Sequence, residues 1–168
     1  MIDLMQAAAS DAAELARIQV DSWQAYTDIF TPAYMAEHNS FERRFLYWMT
    51  LLTREIDRTY LIKADGHSVG YITLGYPRDD NATPGTLELT ALYLSTAEQN
   101  KGYAAHVMRR ILGSLKEAGY DRLSLWVLKD NARAIQFYQH FGFTFDGLEM
   151  TLPIHGAILQ TRMSKVLS

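Results

Sequence analysis

Apolar residues change rhythm repeatedly along the chain, from short runs that suit strands to stretches where they return every three or four positions, as one face of a helix requires. Ile2 to Gln6 reads as a short first strand. Ser10 or Asp11 can then cap a helix whose stripe of Ala12, Leu15, Ala16, Ile18 and Trp23 carries it to about Tyr26. Thr31 and Pro32 begin a second helical region, interrupted near Asn39 and Ser40, in which Phe41, Phe45, Trp48, Met49 and Leu52 keep helical spacing. Tyr60 to Ala64 and Val69 to Leu74 are strand-like, and Asp65, Gly66 and His67 between them predict a hairpin turn. The composition of Arg78 to Gly85 favours a loop, after which Leu87 to Leu94 resumes as a largely apolar strand.

Farther along, Ala104, Met108, Ile111, Leu115 and Ala118 mark the buried stripe of a helix over Tyr103 to Ala118, stopped by Gly119. Leu123 to Leu128 is apolar on both faces, as a covered central strand would be. Asn131 or Asp130 caps a further short helix closed by Gly142. Phe143 to Leu152 and Ile158 to Val166 complete the strands, joined by a turn across Pro153, His155 and Gly156. This element order is mixed α/β. The first two helices are expected to cover a cleft, and no internal repeat or low-complexity linker interrupts the pattern.

Composition narrows the possibilities. At 168 residues with 48% hydrophobic content, residues 1–168 are expected to form a single domain around one core. No stretch reaches the roughly 20 apolar residues that span a bilayer, and Met1, Ile2 and Asp3 lack the basic start of a secretory signal, so the expected location is cytoplasmic with no membrane partner. Cysteine is absent, which excludes disulfides, thiolate metal sites and a thiol nucleophile. The five histidines show no metal-binding spacing, so no metal is expected. A net charge of −3 argues against nonspecific nucleic-acid binding, which needs concentrated Lys and Arg, and leaves a cationic small partner compatible.

The richest chemistry lies in Leu92 to Ala104, LYLSTAEQNKGYA, where an apolar strand enters a glycine-containing turn and then a helix. The first N–H groups of a helix lack intrahelical partners, its dipole places partial positive charge there, and turn N–H groups can converge on phosphate oxygens. Gly102 can take positive φ and lets a phosphate approach the main chain. Other phosphate motifs fit worse. A P-loop requires Gly-Lys followed by Ser or Thr, and the dinucleotide fingerprint requires three spaced glycines.

Gln99, Gly102 and Ala104 match the QxxGx(G/A) signature, and Asn131 to Phe143, NARAIQFYQHFGF, matches an NxxAxxFYxxxGF segment; together they resemble the GNAT superfamily of N-acetyltransferases. The likeness extends to SWQAYTDIFTPAYM, ELTALYL and LWVLKDN, and so covers nearly the whole chain. It implies a strongly twisted mixed sheet of six to seven strands flanked by helices, with splayed central strands forming a V-shaped cleft. It also implies acetyl-CoA as co-substrate, with the pyrophosphate on backbone N–H groups of Gln99, Asn100, Lys101, Gly102, Tyr103 and Ala104. The pantetheine would lie along Leu92, Tyr93 and Leu94, with Asn131, Ala134 and Phe137 of the second block also contacting the cofactor. Departures from the family pattern are Thr96, where relatives often have proline, Lys101 and Tyr103 in variable slots, and Ala104 for the last glycine.

The same resemblance makes Tyr138 the proton donor to the departing thiolate, although beside Phe137, Phe141 and Phe143 it also reads as a core aromatic. A backbone N–H near Leu94 would stabilise the developing oxyanion. The attacking amine must lose a proton, for which Glu88 or a water chain is the candidate base. Trp23 and Tyr26 lead the aromatic residues expected to contact the acceptor, ahead of Phe30 and Tyr34. The acceptor itself is a primary amine of a small molecule or peptide. Candidates are a polyamine, implied by a loose likeness to spermidine acetyltransferases, an amino-sugar or amino-acid amine, a drug-like amine, or a protein N-terminus or lysine; Asp21, Asp28 and Glu37 near the expected roof favour a cation or are ordinary solvated helix charges. His106 and His140 read as solvated. The competing readings are a CoA-binding regulatory module without turnover and a transferase using another acyl-CoA; a monomer or a homodimer fits either.

Overall fold

A computed structural model describes residues 1–54, 57–152 and 158–167. The turn expected across Pro153, His155 and Gly156 lies outside them. Among the described residues the strands are β1 (Ile2–Gln6), β2 (Arg58–Ala64), β3 (His67–Gly75), β4 (Thr86–Leu94), β5 (Arg122–Leu128), β6 (Thr144–Leu152) and β7 (Ile158–Val166). The helices are α1 (Ala12–Ser22), α2 (Pro32–His38), α3 (Phe41–Arg54), α4 (Tyr103–Glu117) and α5 (Ala132–His140). The strands join in the order β1-β2-β3-β4-β5-β7-β6, a mixed seven-stranded sheet that bears out the α/β class. No helix among the described residues is long and apolar enough to cross a membrane.

The chain packs as two compact units, Met1–Gly75 with Ala91–Arg109, and Tyr76–Thr90 with Arg110–Ser168. In the first, β1, β2 and β3 form an antiparallel meander. Asp65 and Gly66 take φ values of 48° and 84°, so the β2–β3 turn has two residues and His67 already belongs to β3. An Asp-Gly pair suits such a turn because positive φ at both central residues matches the twist of the flanking strands.

The core of this unit is built from Ala12, Leu15, Ala16 and Ile18 of α1, Trp48 of α3, Leu61 of β2 and Tyr71 of β3. Trp48 is fully buried, and its indole N–H donates to Gln19 Oε1 at 2.9 Å. That bond satisfies two polar groups which would each cost about 1–3 kcal/mol if left unpaired in the core. Gly70 lets β4 approach β3: a Cβ there would collide with the Tyr93 carbonyl oxygen. α1 ends four residues earlier than its apolar stripe predicts, and Trp23–Tyr26 forms a 3₁₀ turn instead. The tighter turn carries the aromatic residues of this segment out of the α1 stripe.

In the second unit β5 pairs with β7, and β7 with β6, both antiparallel. The parallel β4–β5 ladder comprises Thr86–Arg122, Leu87–Leu123 and Glu88–Ser124. Leu123, Leu125 and Val127 are buried, as the apolar run predicts for a central strand. Asn131 rather than Asp130 caps α5: its side chain accepts from the Ala134 N–H at 3.1 Å.

Candidate active site

The first unit carries the strand-turn-helix segment. Ser95 N–H donates to Val69 O of β3. Because main-chain groups alternate sides along a strand, Tyr93 also turns its backbone towards β3, while Leu92 and Leu94 direct theirs to the opposite edge. At that edge Gln99 Nε2 donates to Leu94 O at 3.3 Å, leaving the Leu94 N–H as the group aimed away from β3.

Beyond Leu94 the chain makes a 3₁₀ turn at Thr96–Glu98, and Asn100 and Gly102 then adopt φ values of 63° and 82°. These left-handed residues bring the loop to the start of α4, whose first intrahelical bond runs from His106 N to Gly102 O. The N–H groups of Tyr103, Ala104 and Ala105 therefore precede the hydrogen-bonded ladder and face the helix entrance. A Cβ on Gly102 would meet no protein atom within 4 Å. Glycine there serves the backbone conformation and leaves open space over the loop, a fit for a bulky, multiply charged phosphate.

Thr96 has a use that a proline could not supply. Its N–H donates to Asp21 Oδ2 at 2.6 Å and its hydroxyl to Asp21 O at 3.2 Å, fastening the loop to the end of α1. Asp21 thus positions the loop, a contact that neither sequence reading of it, cation-favouring acid or solvated helix charge, anticipates. Lys101 pairs with Glu98 at 3.0 Å, so its side chain braces the loop.

An aromatic cluster belongs to the same unit. Trp23 stacks on Phe30 at 5.3 Å, meets Tyr26 edge-on at 5.5 Å and lies 6.4 Å from Tyr93 of β4. Tyr34 stacks on Phe30 at 4.8 Å, and Tyr71 lies 5.6 Å from Tyr93. The structure thus brings Trp23 and Tyr26 together against Tyr93 of β4. It adds Arg44 of α3, whose guanidinium sits 4.4 Å over the Trp23 ring and donates from Nε to Asn39 Oδ1 at 3.2 Å. Burial lowers the Arg44 pKa, against opposing contributions from Tyr71, Tyr93, Tyr34 and Tyr47. The Tyr71 hydroxyl and the Trp23 indole N–H are buried without hydrogen-bond partners, and burial holds the Tyr71 pKa well above its ordinary value.

The second unit carries Glu88, Asn131 and Tyr138. Glu88 is fully buried rather than an exposed strand glutamate. Its Oε1 accepts from Arg78 Nε and Nη2, both at 2.7 Å, and its Oε2 from the Arg78 N–H at 2.9 Å. Arg78 lies in the loop before β4 and was not singled out from sequence, because an arginine among turn residues carries no signal of a buried partner. Tyr138 of α5 is half-buried, edge-on to Phe143 at 5.7 Å and to Phe137 at 5.4 Å. Ala134 and Phe137 are half-buried on the same helix, whereas His140, like His106 of α4, is exposed. No cluster of three or more metal-ligating side chains occurs among the described residues.

Comparison with known proteins is consistent across sequence and fold. The profile of the acetyltransferase (GNAT) family matches residues 23–143. An uncharacterised N-acetyltransferase of Mycobacterium tuberculosis is 31% identical over 147 residues, covering 82% of this chain and 86% of the relative. The PaiA N-acetyltransferase from Thermoplasma acidophilum, solved with coenzyme A, shares the fold with a TM-score of 0.68 at 18% identity, over 96% of this chain and 98% of its own. A protein from Salmonella typhimurium solved with acetyl-CoA gives a TM-score of 0.70 at 18% identity, over 100% and 95%.

Proposed function

The chain belongs to the acetyltransferase (GNAT) family, and from that premise we propose that it is an acetyl-CoA-dependent N-acetyltransferase moving acetyl directly to a primary amine. The observation that carries this reading is the loop from Gln99 to Ala104, with open space over Gly102 and unbonded helix N–H groups beside it. Backbone donors of this loop would hold the diphosphate of the co-substrate. The edge of β4 at Leu92 and Leu94 would bond the amides of the pantetheine arm, as an added strand would. Tyr93 contributes there through its ring, since its main chain is turned to β3. Asn131, Ala134 and Phe137 would complete the cofactor contacts.

In the reaction the amine nitrogen attacks the thioester carbonyl carbon, the C–N bond forms, and the oxygen gains negative charge near the Leu94 N–H. Collapse breaks the C–S bond and the sulfur leaves with the electron pair, taking a proton from the Tyr138 hydroxyl, while the nitrogen sheds its surplus proton through water and so restores the phenol. A free amine with a pKa of about 10.4 is mostly protonated at neutral pH, so a base must first remove that proton. Glu88 serves this role through water. Its Oε1 is filled by two guanidinium donors, whereas Oε2 accepts one amide and keeps a lone pair. The reading takes the chain as one catalytic domain working in the cytoplasm as a monomer or homodimer.

The test is thiol release from acetyl-CoA across a panel of amines, with calorimetric titration of CoA alongside. Tyr138→Phe is expected to lower kcat about 100-fold or more while CoA affinity holds, and Glu88→Gln to lower kcat by a comparable factor. CoA binding with no turnover on any amine would instead indicate a regulatory module. An absence of CoA binding would end the reading altogether.

A further inference from the structure

We propose that Arg44, with the Tyr71 hydroxyl and the Trp23 indole N–H, forms a carboxylate-binding subsite, so that the acceptor is an amine that also bears a carboxylate, such as a free amino acid. This rests on the N-acetyltransferase reading and narrows it. The Arg44 guanidinium carries five N–H donors, and its one hydrogen bond to the protein among the described residues is Nε to Asn39 Oδ1. No carboxylate of the described residues lies within ion-pair distance of it, although the exposed Arg43 beside it pairs with Glu37. A guanidinium does not escape burial by losing its proton. Packed over Trp23 among tyrosines, it keeps its charge in a poorly solvated place, with the two terminal nitrogens of its fork unanswered.

Burial is complete at two donors packed with it. Tyr71 is fully buried on β3 with an orphaned hydroxyl, and the Trp23 Nε1 is likewise buried and orphaned. Unsatisfied buried donors are rare in folded proteins and each calls for an explanation. Here both belong to the aromatic cluster on which Arg44 packs and which meets β4 through Tyr93, the residue before Leu94. A planar carboxylate matches the guanidinium fork and can accept from hydroxyl and indole donors as well. The stacked rings of Trp23, Phe30 and Tyr34 offer an apolar wall for the rest of such a molecule.

The acids read as favouring a cation do not converge on this place. Asp21 is fastened to Thr96, Glu37 faces Arg43 and His38, and Asp28 is exposed. A polyamine would bring positive charge to an arginine that already lacks an anion.

The experiment uses the full chain with acetyl-CoA and matched pairs of acceptors: phenylalanine and phenethylamine, lysine and cadaverine, methionine and 3-(methylthio)propylamine. The acid member of at least one pair is expected to show a kcat/KM more than 10-fold above its decarboxylated partner. Arg44→Gln should collapse that ratio to near one, mainly through KM of the acid. Arg44→Lys should restore part of it, and Tyr71→Phe, which leaves the core shape intact, should reduce it several-fold. A wild-type protein that favours the decarboxylated amines, or a preference that survives Arg44→Gln, overturns the subsite. If no amine turns over, calorimetry of phenylalanine against the CoA-loaded protein separates the two ideas. Binding that Arg44→Gln abolishes sustains the subsite while the transferase reading fails, and no binding to wild type overturns the subsite itself.

Discussion

Glu88 is drawn wholly out of water and Arg44 in part, and the two charges are treated in opposite ways. In one unit Glu88 is 0% exposed and accepts three donors from Arg78, two from the guanidinium and one from the main chain. In the other, Arg44 rests on an aromatic ring with a neutral amide as its hydrogen-bond partner. A buried charge answered by an opposite charge and an amide of its own chain is a part of the fold, whatever else it does. One answered by an amide and a π face holds binding capacity in reserve. The pairing state therefore separates a charge that organises the protein from one poised for a ligand, and sequence position separates them not at all.

The sharpest way to break this contrast is to remove Arg78. Arg78→Met strands Glu88 in the interior with one remaining amide donor, and deleting one partner of a buried ion pair costs about 3–5 kcal/mol. Because the Arg78 N–H still reaches Oε2 and the Arg78 side chain is partly exposed, the low end, about 3 kcal/mol, is expected. Thermal denaturation should report it as a fall of about 6–12 °C. The double variant Arg78→Met with Glu88→Leu should recover most of the loss. If the single variant melts with the wild type, the pair is ornamental and the comparison fails at its stronger end.

Next in size is the loop. Gly102→Val forces a β-branched residue into φ near 82°, at a stability cost of about 1–2 kcal/mol. The open space above the residue means no collision within the protein adds to that cost. A loss of CoA affinity of 10-fold or more by calorimetry, out of proportion to the modest shift in melting, would mark this as a surface kept clear for a ligand. Equal small losses in both would make it an ordinary helix start.

Much of this was legible in the residues themselves. Periodicity located every strand and the stripes of α1, α3 and α4, because burial on one face leaves a regular trace. The turn-to-helix segment was legible because a left-handed turn and a helix start restrict which residues can stand there, and the block around Tyr138 through its likeness to the family's motif. Arg44, Arg78 and Asp21 were not, since each acts through one long-range contact, to Trp23, Glu88 and Thr96 in turn. Polar residues on helix ends and in loops look alike until the fold chooses their partners. Where α1 stopped was also misjudged: Trp23 continued the apolar rhythm, but the chain tightens there into a 3₁₀ turn.

Arg44→Met probes the weaker end of the contrast. Removing the guanidinium forfeits a cation–π contact of about 1 kcal/mol and a hydrogen bond of similar size, and relieves the desolvation of an unpaired charge. The terms nearly cancel, so the melting temperature should move by no more than about 4 °C in either direction. A fall as large as that of Arg78→Met would make Arg44 a structural ion.

The smallest effect is the most selective, because it concerns one proton. Burial raises the pKa of Tyr71 well above its ordinary value, so the native state resists ionising a hydroxyl that the unfolded chain gives up at about pH 10. The stabilising contribution is therefore complete below pH 10 and is lost as pH climbs from there towards the native pKa, at about 1.4 kcal/mol per pH unit. Tyr71→Phe lacks that proton. At pH 7 it should match the wild type within about 0.5 kcal/mol, since the hydroxyl it deletes has no partner to lose. In urea denaturation at pH 10 to 11 it should become the more stable of the two. A variant weakened by 1 kcal/mol or more at pH 7 would mean that the hydroxyl is already bonded within the protein, and the group of unanswered donors around Arg44 would shrink accordingly.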